Sequence, residues 1–395
     1  MRMRKDIPTV VITKMSPRWT YFQIYILGLY ELERLGEIKL RFQCDWYYRL
    51  STILPNIPYL RGELHRLARR NIIDSYITEG YVAYNGKRYS FCIDSADSPY
   101  LFDSEALERV DVYFKAQCPK EINPTKGFCL SDDVFIKYCD YKTDAQGQRV
   151  LLQNLSKNLS KISPLVVGFR RLSYMNSYRA LRKGWENYKN NVYKGHLRKA
   201  MCYFGNAFGP KPTFKVPCDV DDEGNIMGVY SSLNHPNEKR SKIASIMQTL
   251  GKEYDARIIS DGNADSQEGV LFHKELVVPI KKFCYHISHF QYNYNISGYR
   301  MSIPNRFMES FIVGTAIVTD KLAVKWYLPF DDEVFETEEM GYLPIDKINW
   351  DKVRQDLINL PAVSKEKVLG NYYRKWGPIP VARYMIKTII KIKNS

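Results

Sequence analysis

The sequence predicts an α/β fold in two halves that meet near residue 190. Three observations carry this expectation. Strand-like and helix-like segments alternate from the first residues onward. The alternation restarts after a polar, basic, tyrosine-rich stretch at residues 171–195. Hydrophobic residues make up 45% of the 395, enough for the cores of two ordinary domains and against global disorder.

The elements follow in order. "TVVIT" (9–13) is a short β-branched run that suits a buried strand. "YFQIYILGLYELERLG" (21–36) has helical periodicity and a glycine stop at Gly36. "IKLRFQ" (38–43) alternates and reads as the next strand. A strand–helix–strand opening points to a parallel sheet. "KRYSFCID", "VDVYFKA" and "SPLVVGF" supply further strands, and 171–195 reads as a helix followed by a connection. The second half restarts with "KAMCYFGNAFGPK", a strand running into a glycine-rich turn. "PNEKRSKIASIMQTLGKEY" follows as a helix, and "DARIIS" as a strand. "KKFCYHISHF" and "IPNRFMESFIVGTAIVTD" continue the alternation, and from about Asn349 the chain reads as helical again. There is no repeat of fixed period and no low-complexity tract.

The formal charge of +15 calls for an anionic partner or neighbourhood. Nucleic acid, a negative membrane face and a nucleoside diphosphate all satisfy it, and charge alone does not choose. Tyrosine, at 30 copies, suits half-wet grooves where the ring packs and the hydroxyl bonds. The eight cysteines include no CxxC pair, so a zinc ribbon or thioredoxin site is unsupported and buried reduced thiols are expected. "MRMRKDIPTVVITKM" lacks the apolar core of a signal peptide, and no apolar run is long enough to span a bilayer. A cytoplasmic location is expected, which makes the sequons at Asn154, Asn158 and Asn295 incidental. His286 and His289 have metal-like spacing but no third ligand, so neither a metal nor another cofactor is expected.

The densest chemistry lies at 303–322. A helix is expected from about Pro304 to Val313, with proline in its first turn and Gly314 as its stop. Phe307, Met308, Phe311 and Ile312 share the face toward the sheet, and Arg306 and Glu309, three apart, point the other way. "TAIVT" is the following strand and Asp320 sits at its carboxyl end, the edge where open α/β sheets bind ligands. A helix N-terminus in that crevice favours phosphate, Arg306 adds a bidentate contact, and Glu309 can accept two ribose hydroxyls. Spacing alone favours a surface ion pair worth about 0.3 kcal/mol.

"RFMESFIVGTAIVTD" resembles the donor-site signature of GT-B-type glycosyltransferases, in which a glutamate lies five residues before a glycine and a "PVV"-type strand follows. The arginine three residues before the glutamate, and "YLPF" after the strand, are similar to the exostosin-like branch. The resemblance covers roughly residues 285–335. At the place of the first glutamate of the longer E-x7-E signature stands Met301, a departure from the commonest retaining group. The resemblance implies two Rossmann-like domains facing a cleft, with residues 1–189 taking the acceptor and 190–348 the nucleotide-sugar donor. Residues 349–395 would form a helical segment packing back across the domains. It further implies that Glu309 holds ribose, that Arg306 holds the diphosphate, and that no metal is bound at a DxD motif.

Other candidates follow from position. Gly205 and Asn206 open the turn after the first strand of the donor half, where glycine lets backbone N–H groups approach phosphate; an ordinary loop fits equally. Lys239 and Arg240 at the start of the next helix are diphosphate partners or a solvated basic face. Ser297, in "YNYNISGYR", and Asn305 stand beside the nucleotide or in a merely polar loop. In the first half, Asp94 and Asp97 of "DSADSP" lie at a strand's carboxyl end, as a base for the acceptor hydroxyl or as caps of the next turn. Lys115, ending "VDVYFK", is placed to meet an anionic acceptor. The tail combines Trp376 and an apolar stripe with Arg383, Lys387, Lys391 and Lys393. Contact with an anionic membrane and packing back across the domains stand side by side.

The function expected is a cytoplasmic glycosyltransferase, peripheral on the inner membrane face if the tail binds there. It would move a sugar from a nucleotide-sugar to a glycan or glycolipid acceptor, with no metal or cofactor and no nucleic acid. The rivals are a non-catalytic nucleic-acid-binding protein, against which no helix-turn-helix, RNP-like strand or zinc finger appears, and a GT-B pseudoenzyme.

Overall fold

A computed structural model describes residues 7–16, 21–43, 76–124, 126–131, 134–136, 139–140, 152–169, 178–205, 217–220, 226–229, 236–259, 272–273, 279–298, 301–340, 343 and 345–391. It is an α/β protein with two six-stranded sheets.

The first sheet contains β1 (Thr9–Lys14), β2 (Lys39–Phe42), β3 (Ile77–Tyr84), β4 (Lys87–Asp94), β5 (Val112–Lys115) and β6 (Ile162–Pro164). Their order across the sheet is β6-β5-β4-β3-β1-β2. Helix α1 (Gln23–Arg34) links β1 to its parallel neighbour β2, as the opening pattern predicts, and Gly36 takes a left-handed φ of 74° just beyond it. The sheet is not parallel throughout. β3, for which the sequence gives no expectation above, runs antiparallel to both β1 and β4. The cause is local. Asn85 and Gly86 adopt φ of 49° and 74°, the two positive values of a tight hairpin turn whose twist matches the flanking strands. Helices α2 (Ser104–Arg109) and α3 (Leu152–Asn158) follow β4 and precede β6. In "SPLVVGF" only the first two residues belong to a strand; Leu165 to Phe169 continue as buried irregular chain.

Helix α4 (Tyr178–Lys189) leads to the second sheet. That sheet holds β7 (Arg198–Gly205), β8 (Tyr254–Ile259), β9 (Phe272–His273), β10 (Phe290–Asn295), β11 (Ala316–Lys321) and β12 (Val334–Met340). Every pairing in it is parallel, and the order is β9-β8-β7-β10-β11-β12. Counted along this half, the order is third, second, first, fourth, fifth, sixth. The chain therefore reverses direction across the sheet between β7 and β10, the topological switch point at which doubly wound folds bind ligands. Helix α5 (Pro236–Gln248) precedes β8, α6 (Ile280–Ile287) precedes β10, and α7 (Arg306–Phe311) connects β10 to β11. Helices α8 (Trp350–Ile358), α9 (Lys365–Asn371) and α10 (Pro378–Lys391) complete the chain. Asn349 and Ser364 cap α8 and α9 through side-chain oxygens that accept from Lys352 N–H and Lys367 N–H.

The halves are joined along a seam. Cys118–Pro119 pairs antiparallel with Val324–Lys325, and Lys120 N–H donates to the Ala323 carbonyl at 2.9 Å. A second connection is α10, which lies across α1. Gly28 of α1 is what permits the approach, because a β-carbon there would run into the Pro378 carbonyl and the Ala382 side chain. The apolar stripe of α10 (Val381, Ala382, Met385, Ile386, Ile389) is buried, so of the two readings of the tail this face packs against protein. Trp376 is fully buried too, edge-on to Trp326 at 5.1 Å, with its indole N–H donating to Glu333 at 3.0 Å. Arg383 pairs with Glu37, its Nε 2.9 Å from the carboxylate. Among the described residues no helix is long and apolar enough to cross a membrane.

Candidate functional site

Of the residues singled out in the second half, Gly205, Ser297, Arg306, Lys239 and Arg240 have contacts at the carboxyl ends of its strands, around the switch point. Gly205 ends β7. The β7–β10 register sets Cys202 opposite Tyr294, so the carboxyl ends of the two strands lie side by side. Asn206 lies outside the described residues. The strand before Ser297 runs as far as Asn295, so Tyr294 and Asn295 belong to β10 rather than to a loop.

Helix α7 is shorter than the span expected, with Asn305 at its N-terminal boundary and Gly314 beyond its end at φ 76°. Phe307, Met308, Phe311 and Ile312 are all buried. Phe307 and Phe311 stand against Trp326, both with centroids 6.2 Å away, and Asn293 of β10 donates to Ser310 Oγ at 2.9 Å. These contacts fix the helix on the sheet. Arg306 turns toward β10, its Nε donating to Asn295 Oδ1 at 2.6 Å. Glu309, in the first turn, is 0% exposed. An exposed ion pair is therefore not what this spacing encodes. A carboxylate in the first turn of a helix is favoured by the macrodipole, and here it is held away from bulk water.

Lys239 and Arg240, near the start of α5, are 3% and 8% exposed, which removes the solvated basic face as their explanation. The Arg240 guanidinium lies over the Phe204 ring at 6.0 Å. Lys239 acts electrostatically on Asp320, the fully buried end residue of β11's inward run. Asp320 accepts from Ser297 N–H at 2.8 Å, from Ser297 Oγ at 3.0 Å and from Thr319 Oγ1 at 3.0 Å. Burial pushes the Asp320 carboxyl above its usual range; the Lys239 charge and these hydrogen bonds pull the other way without cancelling it. Ser297 is thus spoken for by Asp320, and Asn305 by the Gly168 carbonyl, to which its Nδ2 donates at 2.6 Å. Arg306, Arg240 and Lys239 thus meet Asn295, Phe204 and Asp320 at the carboxyl ends of three neighbouring strands, and the helix of Arg306 carries the buried Glu309. That composition suits an anion bearing hydroxyl groups.

The first half departs from expectation. Asp94 and Lys115 are both 0% exposed and form an ion pair at 2.7 Å. Asp94 also accepts from Tyr113 O–H at 2.6 Å and Ala96 N–H at 2.8 Å, and Lys115 also donates to the Leu101 carbonyl at 2.7 Å. Of the two readings of Asp94, base and cap, the bond from Ala96 N–H is that of a cap, and both Asp94 and Lys115 are turned to each other rather than to an acceptor. Adjacent parallel strands set the two opposite each other, where each charge is satisfied by the other and by neutral donors and acceptors. Asp97, on the turn after β4, is exposed. His286 and His289 do not converge. His286 Nε2 is 3.2 Å from Asp255, whereas the His289 ring stacks on Tyr193 at 3.9 Å. Among the described residues no group of three His, Cys, Asp or Glu is placed to hold a metal ion.

The sequence assigns no role to Asp320, Gln117 or Gly168, and takes Asn295 as part of the segment beside the nucleotide or of a polar loop. Asp320 carries a visible signal, its place at a strand's carboxyl end. Gln117 and Gly168 act across 186 and 137 residues of sequence, and nothing local marks them.

No family model matches the chain, and no curated protein does. Among solved structures it is similar to the crystal structure of WaaG, a glycosyltransferase involved in lipopolysaccharide biosynthesis. The identity is 10% and the TM-score 0.38, with 96% of this chain and 98% of that chain covered. At that TM-score the likeness carries no functional information.

Proposed function

We propose that the chain is a glycosyltransferase that binds a nucleotide-sugar at the carboxyl edge of its second sheet and passes the sugar to a glycan or lipid-linked glycan, without a metal at the donor phosphates. What supports this reading is that Arg306 bonds to Asn295 at the end of β10 and Arg240 lies over Phe204 of β7, with Lys239 acting on Asp320 of β11 and Glu309 buried in the helix of Arg306. Their residue types fit the parts of such a donor. Arg306, Lys239 and Arg240 supply the positive charge that binds a diphosphate and stabilises it as a leaving group. Glu309 accepts two ribose hydroxyls. Gly205 leaves the backbone open to the phosphates. Of the two first-half aspartates, Asp97 is the one exposed to an incoming acceptor, and it takes the role of base.

A nucleotide panel tests the reading. Uridine, guanosine, adenosine and cytidine diphosphates at millimolar concentration, with a chelator present, are scored by thermal shift. At least one should raise the melting temperature. No shift with any of the four sinks the nucleotide-sugar proposal.

A further inference from the structure

Three contacts tie the segment that leads into α7 to the opposite half of the molecule. Gln117 lies two residues beyond β5 and is 4% exposed. Its Nε2 donates to the Ile303 carbonyl at 2.9 Å, and its Oε1 accepts from Ile303 N–H at 2.9 Å. The side-chain amide thus completes both main-chain groups of one residue, as a paired strand would. Asn305 reaches back to the Gly168 carbonyl. Met301, held at a left-handed φ of 61°, is 3% exposed and belongs to the first half's own apolar cluster with Ile77, Tyr100, Phe102 and Tyr113. A side chain with that φ is disfavoured unless its surroundings over-determine it, and here the first half does so.

The base of Gln117 is anchored at the end of β5. The Asp94–Lys115 pair fixes the end of β5, and Ala116 N–H donates to the Asp94 carbonyl at 2.9 Å. Gln117 therefore projects from an immobile strand end into a segment one residue short of Pro304 and three short of Arg306.

We infer that Gln117 is a positioning residue: from the first half it sets the helix that carries Arg306 and Glu309, so that docking of the two halves and occupation of the nucleotide site are thermodynamically coupled. The nucleotide part rests on the function proposed above; the mechanical part does not. Coupling of this kind is reciprocal, so a nucleotide on the second half must also quiet the first half around Gln117.

Gln117→Glu is the informative variant. It keeps size and the bond from Ile303 N–H but sets a carboxylate oxygen against the Ile303 carbonyl. Amide hydrogen exchange should then quicken at 303–311 by at least about fivefold, the ratio for loss of one buried hydrogen bond, while β1 and β10 exchange as in the wild type. Unchanged exchange at 303–311 overturns the inference. In the wild-type protein, uridine or guanosine diphosphate, whichever gives the larger thermal shift, should slow exchange at residues 117–120, none of which belongs to the proposed donor site. Protection confined to the second half overturns the coupling even if Gln117→Glu fails to fold. Faster exchange at 303–311 in the variant with no nucleotide binding in the wild type leaves the positioning role standing and removes the functional reading instead.

Discussion

At the residue scale, Glu309 decides the chemistry of the proposed donor site. A fully buried carboxylate facing two hydroxyls makes charge-assisted hydrogen bonds, and Glu309→Gln preserves its shape while removing its charge. Nucleoside diphosphate affinity should fall by about 1.5–3 kcal/mol, the range for hydrogen bonds to a charged group, as read by calorimetry. If those bonds are equally strong in ground and transition states, donor KM rises and kcat hardly moves. Asp97→Asn should invert the pattern, with kcat collapsing while nucleotide affinity survives; an unchanged kcat removes Asp97 as the base. A second residue-scale prediction concerns Lys365. Burial lowers its pKa to about 8, although the Ser288 and Tyr193 carbonyls both accept from its Nζ. A folded pKa below the unfolded value means that folding opposes the charge. The cost is complete below about pH 8 and is relieved as pH rises toward the unfolded value near 10.5. The denaturation midpoint of the wild type should therefore gain on that of Lys365→Met between pH 7 and 10. A difference that does not vary with pH would mean that the two carbonyls offset the desolvation.

At the scale of elements, legibility followed the range of the interaction that fixes each one. Helix α1, its glycine stop and the strands β1, β2, β7 and β8 are written in local periodicity, and they stand where the sequence places them. The hairpin of β3 and β4 was legible in principle through Asn85-Gly86, a short-range turn signal that strand patterning alone passes over. The helix at 303–322 was legible in its apolar face and its stop. Of its polar side, spacing left a surface ion pair and a ribose contact open, and the full burial of Glu309 belongs to the folded chain rather than to that spacing. For Asp94 a cap stood beside a base in the local pattern, and only strand register shows that it and Lys115 face each other. One element-scale prediction follows from the contact of α1 with α10. Gly28→Ala places a methyl against the Pro378 carbonyl and should destabilise the protein by about 1–3 kcal/mol, the usual cost of overpacking. An unchanged denaturation midpoint would mean that the two helices separate freely. Gly36→Ala, where nothing lies within 4 Å, is the control that isolates backbone strain from packing.

At the scale of the whole molecule, α10 and the net charge of +15 bear on where the protein works. The apolar stripe of α10 covers α1 and Trp376 is buried, so among the described residues these groups are engaged with protein. Truncating residues 376–391 is then a folding experiment: it strips the cover from α1 and from the Trp326 and Phe330 rings, and should abolish cooperative unfolding. Membrane contact, if the protein makes it through this helix, is electrostatic and runs through Lys387 and Lys391, which are exposed, with Arg383 already paired to Glu37. Each such lysine near an anionic surface contributes about 1 kcal/mol. Lys387→Glu combined with Lys391→Glu should therefore weaken flotation with phosphatidylserine vesicles by at least about 2 kcal/mol, leave the melting temperature unchanged, and mimic the effect of raising salt on the wild type. Flotation that survives both the double variant and high salt would place the membrane contact on another surface of the molecule. Wild-type protein that fails to float at low salt would leave the tail with packing as its role.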